Sequence, residues 1–155
     1  MLGVSALDEW MTGVEYRSDT FFALIGSFGA VATMLFGAPT SPLVQPRNII
    51  GGHIISVTVA LGMDYLVYQD FLPIIPQWVA NALVPALSTG LMTKVGLIHP
   101  PAGACATIYI TGDDQVKNMG WMFFCIPVLV DCVLMIFLAL FLNNLSRSRK
   151  YPQYW

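Results

Sequence analysis

"GWMFFCIPVLVDCVLMIFLALFL", residues 120–142, carries one charged side chain, Asp131. A helix rises 1.5 Å per residue, so a run of this length reaches across a hydrocarbon core of roughly 30 Å. No water-facing surface can be built from such a run. The rest of the chain offers little compensation: only 10% of its residues are charged and 56% are hydrophobic, against about 25% charged in ordinary soluble domains. These residues describe an all-α membrane protein, multi-pass and in contact with membrane lipid.

Three more apolar runs precede that one, at 20–36, 49–68 and 74–94. The expectation is four transmembrane helices, forming a four-span domain over 20–142 between an N-terminal tail, 1–19, and a C-terminal tail, 143–155. Pro85 should kink the third span by removing a backbone bond, and Trp121 suits an interface anchor. "PAGACATIYIT", 101–111, is too short to cross and reads as a re-entrant helix or an interfacial one. Four crossings place both termini on one face and bring connectors 37–48 and 95–118 together on the other. Arg17, Arg147, Arg149 and Lys150 against Arg47, Lys94 and Lys117 tilts the termini toward a cytoplasmic, matrix or stromal side. Residues 1–10 match neither a secretory signal nor an Arg-rich transit peptide.

Within this apolar chain the polar exceptions are the candidates for function. Arg47, in "QPRNIIGGH", brings a fixed fork of donors to a helix start, suited to a small anion or to a lipid headgroup. His53 follows Gly51 and Gly52, which permit close backbone approach; it lines a pocket, shuttles a proton or ties the fold. His99 stands before Pro100, which holds it in extended geometry. Asp131, near mid-membrane, calls for protonation, water or a partner such as Asn81. Lys94 ends the third run and either snorkels or binds an anion.

Several function classes fall away. Two histidines without ligand spacing make no metal site, and Cys105, Cys125 and Cys132 read as buried thiols. No HExxH, phosphate loop or GxSxG is present, so no enzyme and no cofactor is expected. Seven Lys and Arg residues form no stripe for nucleic acid.

"LFGAPTSPLVQPRNIIGGHIIS", 35–56, and "IHPPAGACA", 98–106, resemble the two signature stretches of the HPP family of integral membrane proteins, named for the tripeptide found here as His99-Pro100-Pro101. The resemblance covers about residues 18–145. It carries over Pro39, Pro42, Gln45, Pro46, Arg47, Gly51, Gly52, His53, His99, Pro100, Pro101, Gly103 and Ala104. Some chloroplast members are implicated in nitrite transport. The resemblance therefore implies a small-anion transporter, working as a homo-oligomer because so small a bundle encloses little volume. The alternative is an accessory subunit of a larger complex in a mitochondrial or chloroplast inner membrane. Its aromatic tails (Trp10, Tyr16, Tyr151, Tyr154 and Trp155) would then anchor neighbours. A bacterial plasma membrane is the remaining alternative.

Overall fold

The computed structural model describes residues 26–68 and 75–155, and their regular structure is helical. The described helices are α1 (Ser27–Gly37), α2 (Pro46–Tyr68), α3 (Gln77–Val95), α4 (Pro100–Thr111), α5 (Asp114–Asn118) and α6 (Trp121–Asn144), with a 3-10 turn at Pro42–Val44. Prolines open several of them. Pro46 begins α2, Pro76 caps α3, and Pro100 begins α4, positions where a missing N–H goes unneeded. Gly96 ends α3 at φ 72°, its N–H bonding the Met92 and Thr93 carbonyls. That left-handed turn suits glycine, and it sends the chain back across the bundle to His99.

Two membrane-length helices replace the expected four. Among the described residues, α2 over Pro46–Val67 and α6 are long and apolar enough to cross a membrane. Helix α1 has 11 residues, a rise of about 16 Å. The remainder of the expected first span, 20–25, and the tail 1–19 lie outside the described residues. Helix α3 has 19 residues, but Gln77, Asn81, Ser88, Thr89, Thr93 and Lys94 dilute its apolar character. The short helix belongs to the core. Helix α4 packs against α1, α2 and α3, and Ala102, Gly103, Cys105 and Ala106 are buried. Small side chains let it approach three neighbours closely.

Helix α3 continues through Pro85. The break comes instead in α6, where Ile126 is extended at φ −140° and ψ 115° ahead of Pro127; a residue before proline is pushed away from helical geometry. Beyond the break α6 is apolar on both sides. Cys132, Met135 and Ala139 face the core, while Val133, Phe137 and Phe141 are 58–67% exposed. A helix apolar all round requires apolar surroundings, which lipid supplies to the outer stripe.

The C-terminal segment returns to the body. Tyr151, buried, donates its hydroxyl to the Val44 carbonyl at 2.9 Å, and its N–H bonds Asn144 Oδ1 at 3.1 Å. The Gln153 N–H reaches Gln45 Oε1 at 2.8 Å, and Arg149 Nη1 donates to the Phe36 carbonyl at 2.9 Å.

Candidate functional site

The site begins with the absence of side chains at Gly51 and Gly52. A Cβ on Gly52 would lie 2.7 Å from the Cβ of His99 and 3.3 Å from Met92 Sδ and the Leu97 carbonyl oxygen. One on Gly51 would lie 2.7 Å from Leu97 Cδ1. The connector 97–99 therefore rests directly on α2. Asn48 Nδ2 donates to the Ile98 carbonyl at 3.0 Å, fastening the same two segments. Gln45 holds the preceding loop shut, its Nε2 donating to the carbonyls of Pro39 at 3.1 Å and Ser41 at 2.8 Å. The connectors carrying Arg47 and His99 thus interlock whatever the number of crossings.

His53 and His99 meet inside. Their ring centroids are 5.2 Å apart, inclined at 53°, and Phe28 of α1 stacks on His53 at 5.2 Å and 13°. Neither histidine is exposed. His53 Nδ1 lies 2.9 Å from the Ile49 carbonyl, and His99 Nδ1 lies 2.7 Å from the Leu43 carbonyl. A carbonyl only accepts, so Nδ1 carries the hydrogen in both rings. A neutral imidazole then presents a lone pair at Nε2. Both Nε2 atoms are buried without a protein hydrogen-bond partner. His99 lies in the connector, outside both membrane-length helices. Burial, reinforced by the neighbouring His53, lowers its pKa to about 3, so it is neutral at ordinary pH.

The remaining sequence candidates are distributed differently. Arg47 and Lys94 are exposed, and the histidine centre does not include them. Asp131 is fully buried on α6, within electrostatic reach of Cys105 and Cys132. Its suggested partner Asn81 accepts a hydrogen bond from Gln77 Nε2 at 3.0 Å. Cys105 and Cys132 are buried as expected, whereas Cys125 is exposed. Pro46, Pro101 and Gly103 are buried, while Pro42, Pro100 and Ala104 face outward. Among the described residues no group of three or more His, Cys, Asp or Glu side chains could hold a metal ion.

A second polar feature escaped the sequence. Lys117 Nζ lies 3.6 Å from Asp64 Oδ1, both side chains largely buried. They line an open cavity of about 420 Å³ with Tyr65, Tyr109 and Trp121. Asp113 Oδ1 caps α5 through the Val116 N–H at 3.2 Å, and Tyr109 donates to the Lys117 carbonyl at 3.3 Å. Together they place Lys117 beside Asp64. Only the acidic cap in "TGDDQVKN" hinted at this, as the signal for a short helix.

Residues 1–152 match the family described as HPP, transmembrane region. A Dictyostelium discoideum transmembrane protein is 43% identical over 133 residues, covering 85% of this chain and 45% of its own length. A second transmembrane protein of that organism is 41% identical over 143 residues, covering 92% of this chain and 44% of its own. The chain therefore spans less than half the length of these relatives. No solved structure matches it. With the match running over nearly every residue, the two interlocked motifs included, this chain belongs to the HPP transmembrane family.

Proposed function

We propose that this chain carries a small anion, such as nitrite, across a membrane. One observation supports this above the others: His53, His99 and Asp131 are wholly buried in a bundle containing membrane-length helices. Ionisable side chains are expensive there and usually mark a pathway. In this reading Arg47 and Lys94 attract anions at the surface, the cavity beside Lys117 gives access from solution, and the histidine pair forms the inner site. A small oligomer is the working form, because one bundle encloses little volume. The accessory-subunit alternative depended on tails held out to neighbours, and the burial of Tyr151 against its own chain removes one of those anchors.

Nitrite entry into liposomes containing the purified protein tests the proposal. Saturable entry above that of protein-free vesicles is expected. His53→Ala should slow it at least about tenfold, the effect of about 1.4 kcal/mol on a barrier. Arg47→Ala should raise the half-saturating concentration several-fold and leave the maximal rate nearly unchanged. Entry no faster than in empty vesicles would overturn the proposal.

A further inference from the structure

We propose that the permeant passes the histidine pair as the uncharged acid, the anion with its proton attached, making transport electroneutral. This rests on the anion-transport reading above and concerns the species that reaches the inner site. Each ring keeps a buried Nε2 lone pair, because both Nδ1 hydrogens are committed to backbone carbonyls. Both Nε2 atoms lack a protein partner, and the rings are 5.2 Å apart. A bare anion brings only more lone pairs. An acid O–H supplies the donor that an Nε2 acceptor lacks.

Among the described residues, the surroundings supply no compensating cation. Around the pair, α1 contributes Phe28 and α3 contributes Met92. The buried ionisable side chains described on the helices packed against α2 are Cys105 and Tyr109 of α4 and Asp131 and Cys132 of α6, and ionising any of them adds negative charge. Among the described residues, Arg47, Lys94, Arg147, Arg149 and Lys150 are exposed, and Lys117 is held at Asp64. The proton comes from solution on one side, travels with the anion, and is released when the acid dissociates on the other. One proton and one nitrite cross together, with no net charge moved.

Proteoliposomes enclosing a pH dye, with a potential-sensitive dye in parallel, distinguish the carried species. A nitrite pulse at pH 7.5 should acidify the lumen by one proton per nitrite above the protein-free leak. It should generate no membrane potential and be indifferent to a potassium–valinomycin clamp. His53→Asn places an amide N–H where Nδ1–H stood but removes the Nε2 acceptor, and should abolish most of the flux. His53→Gln carries its carboxamide toward the Nε2 position and should retain a larger share. Protein-dependent entry with an inside-negative potential and no acidification would overturn this proposal and leave the transport reading standing. Electroneutral flux unaltered in both His53→Asn and His99→Asn would overturn the role of the pair. Absence of protein-dependent flux would overturn both readings. If the asparagine variants fail to fold, judged by size exclusion, the charge balance of the unaltered protein still decides which species crosses.

Discussion

Gly52 is where the fold tolerates least. Any side chain there meets the Cβ of His99 at 2.7 Å, an atom held between its own backbone and an imidazole that is fastened to the Leu43 carbonyl. Gly52→Ala should lower stability by about 1–3 kcal/mol, the cost of overpacking. Gly51→Ala should cost less, since Leu97 Cδ1, its nearest obstacle, ends a rotatable side chain. Thermal unfolding of the two variants in detergent checks the order. The sequence marked these glycines as points of close approach but could not name what approached, because nothing local links position 52 to position 99. The carbonyls of Leu43 and Ile49 that fix the imidazole hydrogens were equally illegible: backbone atoms have no letter. Arg47 and Lys94 stood out for their chemistry, and their exposure followed from packing that no local pattern encodes.

Between elements, the Asp64–Lys117 pair joins α2 to α5. Removing either side chain breaks a largely buried charge pair, which costs more than the pair contributes. Lys117→Met and Asp64→Asn should each destabilise the protein, and the double variant should be less damaged than the sum of the two. A double-mutant cycle measured by unfolding should give a coupling of roughly 1–3 kcal/mol; additive losses would show that the contact carries no coupling. Hydropathy located the helices well, since an apolar run and its flanking prolines and glycines are local features. It overstated the crossings, because a run such as 74–94 looks membrane-bound until Gln77, Asn81, Ser88, Thr89 and Thr93 are weighed together. Proline was ambiguous for a similar reason. Pro85 and Pro127 both interrupt apolar runs, yet one helix continues through its proline and the other opens at Ile126.

At the scale of the whole molecule, the C-terminal segment straps the loop that supports the histidine centre. Tyr151→Phe should cost about 1 kcal/mol by leaving the buried Val44 carbonyl unpaired. Tyr151→Ala should cost about 3–5 kcal/mol, since a buried aromatic ring is lost as well. Melting temperatures should fall in that order, while Trp155→Ala, at a residue 73% exposed, should change little. The aromatic tail read in the sequence as an outward anchor because aromatic residues serve interfaces and cores alike. The strap also orders events during biosynthesis. Tyr151 and Gln153 bond residues 107 and 108 positions earlier, so at roughly 5–20 residues per second the Val44 carbonyl waits on the order of 5–20 s for its partner to leave the ribosome. Through that interval water must satisfy the loop beneath His99, and the loop becomes sealed only after α6 has been made.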